Sequence, residues 1–294
     1  MKILNMGSLN LDYVYQVDHI VTEGETLASG GMEIFCGGKG LNQSIALARA
    51  GVPVYHAGMI GEDGGMLLDI CRENGVDTRY IRKIPGKNGH TMIQVDRKAQ
   101  KCILLYGGSN RALTREWVDE VLEEFGEGDL LLLQNEINLL GYIVDSGYRK
   151  GMRIVLNPSP MDENLDQVDM EKISLFLMNE TEGARIAGAG EPEEVLSLMA
   201  RKYPRAEVVL TLGSRGSIYQ GNGCLYRQSA FRVKAVDTTG AGDTFTGYFL
   251  AGLLKGMEVP AALELGSRAA ALAVSRKGAA PSIPRMEEVE NAVF

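Results

Sequence analysis

Six short apolar runs recur along this chain, each about one strand long and each followed by residues with helical spacing: Ile3 to Leu9, Val52 to Ile60, Leu130 to Gln134, Ile154 to Asn157, Ser174 to Met178 and Val208 to Leu212. Runs that are apolar throughout suit strands covered on both sides. Their alternation with helices predicts an α/β fold, a mostly parallel central sheet with helices on both faces. Ligands of such sheets collect outside the carboxyl ends of the strands. Two segments, 13–35 and 90–106, break the alternation and read as strands. His90 to Asp96 and Lys101 to Tyr106 form one such pair, with Arg97-Lys98-Ala99-Gln100 as the hairpin turn. A small β-sheet projecting over the site would act as a lid that excludes water. No linker, repeat or low-complexity tract divides the 294 residues, which are expected to form one domain, 1–294.

The run Asp237-Thr238-Thr239-Gly240-Ala241-Gly242-Asp243-Thr244-Phe245 carries the most chemistry. Upstream, Phe231 to Val236 alternates like a strand; downstream, Phe245, Phe249, Leu250, Leu253 and Leu254 fall on one helical face until Gly256. Gly240 and Gly242 allow positive φ, so that the N–H groups of residues 240 to 243 can converge on one anion at a helix start. Asp243 beside such a site repels an anion unless its task is to take a proton from the group attacking phosphorus. Read alone, the run serves equally as a glycine turn with a first-turn acid aligned to the helix dipole.

A second glycine cluster, Cys36-Gly37-Gly38-Lys39-Gly40-Leu41-Asn42-Gln43, opens another helix that stops at Gly51. It lacks the Ser or Thr that a phosphate loop needs after the lysine, and Gln43 stands where a dinucleotide fingerprint needs its third glycine. What remains is an ammonium group and the Asn42 amide, partners for a small polar molecule or simply a solvated helix start. In the first strand and its exit, Asn10 and Asp12 lie two apart and share a face. They can grip vicinal hydroxyls, or form a turn.

Taken together, these segments resemble the ribokinase, or PfkB, family of carbohydrate kinases over nearly the whole chain, with true ribokinases the nearest group. Gly7 to Asp12 is similar to the family's first-strand sugar motif, Gly37 to Gln43 to its first signature and Asp237 to Phe245 to its second. Leu133 to Glu136, Asn157 to Pro160, Asn179 to Glu182, Thr211 to Ser217 and Arg276 to Ser282 match as well. The resemblance implies transfer of the γ-phosphoryl group of MgATP to the primary hydroxyl of a sugar, with Asp243 as base and Gly240, Ala241 and Gly242 as the anion hole. It assigns Asn10, Asp12, Gly38, Lys39, Asn42 and Glu136 to the sugar. It places Asn179 and Glu182 near magnesium and the phosphates, through water, and Thr211, Gly213, Ser214, Gly216 and Gly242 at the nucleotide. A potassium ion is implied at Asp237 and Thr239, with backbone groups around Ala273, Arg276, Gly278 and Ser282. A homodimer sharing the lid is implied too.

One departure bears on the acceptor. Gly108-Ser109-Asn110 replaces the family's Gly-Ala-Asn, so that a hydroxyl stands where an apolar group is expected, either touching the sugar or facing away. Ribose is the leading substrate; 2-deoxyribose, a ketohexose and a nucleoside ribose stay open, as does a non-catalytic sensor of the same fold. The formal charge of −8 and pI near 5.1 argue against nucleic acid or an anionic membrane as partner. Met1 to Asn5 has no long apolar stretch, so neither a signal peptide nor a spanning helix is expected. Cys36, Cys71, Cys102 and Cys224 lack metal-ligand spacing and fit a reducing cytoplasm. His19, His56 and His90 are scattered, with no zinc or hydrolase motif around them, and read as structural or surface residues, with His90 set apart by its place in the lid segment.

Overall fold

The computed structural model describes residues 1–294. Its strands are β1 (Ile3–Met6), β2 (Asn10–Gln16), β3 (Gly31–Gly37), β4 (Tyr55–Ile60), β5 (Asp77–Lys83), β6 (Gly89–Val95), β7 (Lys101–Tyr106), β8 (Leu130–Gln134), β9 (Arg153–Asn157), β10 (Leu175–Asn179), β11 (Glu207–Thr211), β12 (Ser217–Gly221) and β13 (Cys224–Gln228). Its helices are α1 (Lys39–Arg49), α2 (Gly65–Glu73), α3 (Arg115–Leu122), α4 (Leu140–Arg149), α5 (Glu180–Ala187), α6 (Pro192–Lys202), α7 (Ala241–Leu254), α8 (Val259–Val274) and α9 (Met286–Asn291). None is long and apolar enough to cross a membrane.

A nine-stranded sheet runs β13-β12-β11-β10-β9-β8-β1-β4-β5. Its pairs are parallel except for β11–β12 and β12–β13 at one edge. The six apolar runs all reside here, with bounds trimmed by chain geometry: the first strand ends at Met6, and the second begins at Tyr55. Because side chains alternate along a strand, Leu130 and Leu132 enter one core with α1, α7 and α8, while Leu131 and Leu133 enter a second core with α3, α4 and α6. That double burial is why these runs are apolar at every position.

The second sheet, ordered β3-β2-β6-β7, is the expected lid. β2 pairs parallel with β6 and antiparallel with β3, and the β6–β7 hairpin turns through Arg97 to Gln100. The lid starts at Asn10 rather than at residue 13, and 17–30 contains no strand.

Two local expectations are corrected. Phe231 to Val236 pairs with no strand, so the motif that follows it is a loop-to-helix turn. Helix α7 is buried from Asp243 to Gly252 rather than on one face, because it runs between α1 and α8. Gly247 permits the crossing: a Cβ there would stand 2.3 Å from that of Ala46 on α1.

Candidate active site

The starts of α1 and α7 meet at Asp243. Asn42 Nδ2 donates to Asp243 Oδ2 at 3.1 Å, and Gln43 Nε2 donates to Oδ1 at 2.8 Å. The carboxylate is buried in the first turn of α7, whose cap, Gly240, takes φ 73°. Gly242 is helical, which corrects the expectation that both glycines adopt positive φ. No side chain caps the helix. The N–H groups of Gly240, Gly242 and Asp243 find no protein acceptor, and that of Ala241 makes only a 3.3 Å bond to Thr238 O. Gly242 is exposed and Gly240 and Ala241 are half-buried, so these free donors at the positive end of the helix dipole are open to a ligand, and the turn has the chemistry of an anion site.

Sugar-directed groups gather beside it. Gly38 caps α1 at φ 95°, which turns the backbone so that Lys39 N donates to Glu136 Oε2 at 3.0 Å. The Ser8 hydroxyl donates to the same oxygen. The Lys39 ammonium has no hydrogen-bond partner; burial alone would lower its pKa, but Asp243, Glu136 and Glu182 together hold it above the usual value. Asn10 Oδ1 accepts from Asn110 Nδ2 at 2.7 Å, and Asp12 Oδ1 accepts from Thr91 Oγ1 at 2.6 Å. Burial, outweighing that Thr91 bond, raises Asp12 to about 6. Asn42 Oδ1 is buried with no partner, and Asp12 Oδ2 and Glu136 Oε1 accept nothing from the protein. Three acceptors and one ammonium are thus available to a ligand rich in hydroxyls. Ser109 faces away from this group: its oxygen accepts from Gly89 N at 3.2 Å and its hydroxyl leans on Asn88 Oδ1 at 3.4 Å.

On the other side of the α7 turn lies a cavity of about 610 Å³. Thr211, Gly213, Ser214, Gly216 and Gly242, all expected at the nucleotide, line it. So do Phe231, Val233 and Ala235 from the segment misread as a strand, with Ala270, Ala271 and Val274 from α8. The alternation upstream of the motif therefore supplies an apolar wall for a flat ligand rather than a sheet edge. Asn179 and Glu182 lie outside this lining. They form a reciprocal capping box on α5, with Asn179 N to Glu182 Oε2 and Glu182 N to Asn179 Oδ1 both 2.9 Å. Glu182 is nevertheless close enough to the sugar group to act on Lys39.

The loop before Gly240 is pinned by Asp237. Its Oδ1 accepts from Thr239 N at 3.0 Å and Thr239 Oγ1 at 2.6 Å, and its Oδ2 accepts from Gly278 N at 3.1 Å. Lys101 Nζ, from the lid, reaches the same Oδ1 at 2.8 Å. Burial opposes ionisation of this carboxyl, but these donors outweigh it and bring the pKa far below the usual range. Ala273 O accepts from Arg276 N at 3.0 Å, the Arg276 guanidinium pairs with Glu288, and the buried Ser282 hydroxyl donates to Ala279 O at 2.7 Å. These groups gather where the resemblance implies potassium, yet the carboxylate oxygen such an ion needs already carries an ammonium. As the chain is folded, the residues do not fit a second cation there.

Sequence reasoning missed several participants. Gln43 stands at the end of the first signature and out of place in a dinucleotide fingerprint, with no role implied for it, and Lys101 carries no motif at all. Gln134 Nε2 donates to Gln43 Oε1 at 2.7 Å and to Asn5 Oδ1 at 3.0 Å. Asn5 Nδ2 then donates to Ser44 Oγ at 2.8 Å, which contacts His56 Nδ1 at 2.8 Å. Polar residues inside apolar strands, Asn5 in β1 and His56 in β4, were the available signal.

A model described as pfkB family carbohydrate kinase matches residues 2–286. The chain belongs to that family. This pfkB kinase is 33% identical over 292 residues to the ribokinase of Haemophilus influenzae, covering 96% of this chain and 95% of that protein. It is 31% identical over 299 residues to the deoxyribokinase of Salmonella typhi, covering 98% and 97%. Among solved structures, the Arabidopsis thaliana ribokinase complexed with ribose and ATP superposes with TM-score 0.87 at 29% identity, over 98% of this chain and 97% of that one. The protein is an ATP-dependent carbohydrate kinase of the ribokinase fold.

Proposed function

We propose that this pfkB kinase phosphorylates the primary hydroxyl of a pentose, D-ribose foremost, to give ribose 5-phosphate. The observation that carries the proposal is the position of Asp243, between unpaired N–H groups of the α7 turn on one side and the unpartnered acceptors of Asn42, Asp12 and Glu136 on the other. A sugar hydroxyl at Asp243 gives up its proton late, as phosphorus moves to its oxygen, because a carboxylate is a weak base toward an alcohol. The N–H groups of Gly240, Ala241 and Gly242 stabilise charge on the equatorial oxygens, each contributing roughly 3 kcal/mol in a dry site. Lys39, Asn42, Asn10 and Gly38 orient the sugar, and the cavity lined by Thr211 and Gly213 to Gly216 takes the nucleotide base and ribose. Asn179 and Glu182 would hold magnesium through water when it is bound with the phosphates, and the ion would supply charge neutralisation for the transferred group.

Ser109, the one departure that could redirect the acceptor, bonds to Gly89 N and Asn88 Oδ1 and so gives no ground for moving the acceptor away from ribose. The lid presents exposed Met32, Ile34, Met92, Ile103 and Leu104, an apolar surface suited to a second copy of the chain. The four cysteines are all free thiols, in keeping with a cytoplasmic setting.

Initial rates of ADP release with MgATP over ribose, 2-deoxyribose, fructose and adenosine test the reading. Ribose should give the highest kcat/KM. A higher value for 2-deoxyribose would move the substrate, and binding of a sugar without turnover of any would favour a sensor.

A further inference from the structure

The lid is tied to the anion turn by one side chain. Lys101 opens β7, and its Nζ lies 2.8 Å from Asp237 Oδ1 and 2.7 Å from Thr239 Oγ1. Asp237 is three residues before Gly240 and also holds Thr239 N and Gly278 N, so a single carboxylate joins the lid, the anion turn and the loop after α8. The ion pair is partly exposed on the Lys101 side, with side-chain exposures of 34% for Lys101 and 21% for Asp237. An unbalanced carboxylate at this spot would oppose the positive field that the α7 turn presents to a phosphoryl group. A cation on it restores that field.

We propose that Lys101 is the built-in monovalent cation of this kinase: its ammonium balances Asp237 from the lid, so that the anion turn reaches its full positive field when the lid is seated. The inference rests on the sugar-kinase reading above. A free potassium ion and the Lys101 ammonium compete for the same carboxylate oxygen, so the native chain has no need of the ion. Lys101 lies outside the lining of the nucleotide cavity and bonds to none of the sugar-directed groups, so it is a positioning residue that acts through Asp237 and Thr239.

Two measurements on the full-length protein and on its Lys101→Met variant separate the possibilities. In initial-rate assays at constant ionic strength, native turnover should change less than about twofold between potassium, sodium and tetramethylammonium chloride. The variant should lose about tenfold or more in tetramethylammonium and recover most of it, saturably, in potassium. In parallel, thermal unfolding without substrates should show a saturable potassium-dependent rise in Tm for the variant and none for the native chain. Saturable potassium stimulation of the native enzyme, or a Lys101→Met variant that gains no potassium response in either measurement, overturns the proposal. If no sugar is turned over by the native protein, the kinase reading fails separately, and the unfolding measurement still decides the role of Lys101.

Discussion

Gln43 Nε2 stands 2.8 Å from Asp243 Oδ1, and the direction of that bond orders a chain of amides through the core. A carboxylate only accepts, so Gln43 presents its NH₂ group to Asp243 and its carbonyl to Gln134. Gln134 then donates to Asn5 and Asn5 to Ser44, whose hydroxyl lies 2.8 Å from Nδ1 of His56. Each amide of the chain is held in one orientation. Asp243 is therefore held by a network, and Asn42 fixes its second oxygen.

Gln43→Leu removes one of two donors and leaves the carboxylate held by Asn42 alone. Turnover should fall about 10²-fold while KM for sugar changes less than about threefold, a split that steady-state kinetics resolves. Parallel changes in both constants would assign Gln43 a merely structural role.

Asp12 gives the sugar site a pH dependence. Its carboxyl is raised to about 6 by burial, so it protonates in mildly acidic solution, and a protonated carboxyl accepts fewer hydroxyl bonds. KM for sugar should accordingly rise as pH falls through about 6, with Asp12→Asn imposing the weak-binding state at neutral pH. A KM that stays flat across this range would remove Asp12 from sugar binding.

His56 makes a stability prediction of defined sign. Burial lowers its pKa from 6.5 to about 4, so between those values the unfolded chain binds a proton that the native chain does not. The stability held by the neutral ring is complete above the unfolded value and lost as pH falls toward the folded one. In chemical denaturation, the loss between pH 7 and roughly pH 4.5 should be smaller in His56→Phe by about 2 to 3 kcal/mol. Equal losses in both proteins would contradict a neutral buried histidine.

The nucleotide cleft can be blocked from α8. Ala270→Phe puts a ring into the apolar wall and should raise KM for ATP about tenfold or more without affecting sugar binding, as read by titrating each substrate separately. An unchanged KM for ATP would place the nucleotide elsewhere.

Much of this was legible in the chain. Leu130 to Leu133 announced a strand buried on both faces, and Gly240, Asp243, Lys39 and Asn42 announced the ends of two helices facing a polar ligand. What escaped notice depended on distance in sequence. Lys101 and Asp237 are 136 residues apart and meet only because the lid folds over the α7 turn. Phe231, Val233 and Ala235 have the period of a strand, but no neighbouring strand is within reach, so the same alternation lines a cavity. Gln43 has its role set by Asp243 across the α1–α7 crossing, a partner that no local spacing in the sequence identifies.

The most direct test of the account is Asp243→Asn, assayed for ribose-dependent ADP release and for ribose binding by calorimetry. Asparagine keeps the shape and bonds to Asn42 or Gln43 but cannot take the proton, so turnover should collapse by about 10³-fold or more while ribose affinity stays within about threefold. Near-native turnover in that variant would contradict the assignment of Asp243 as the base.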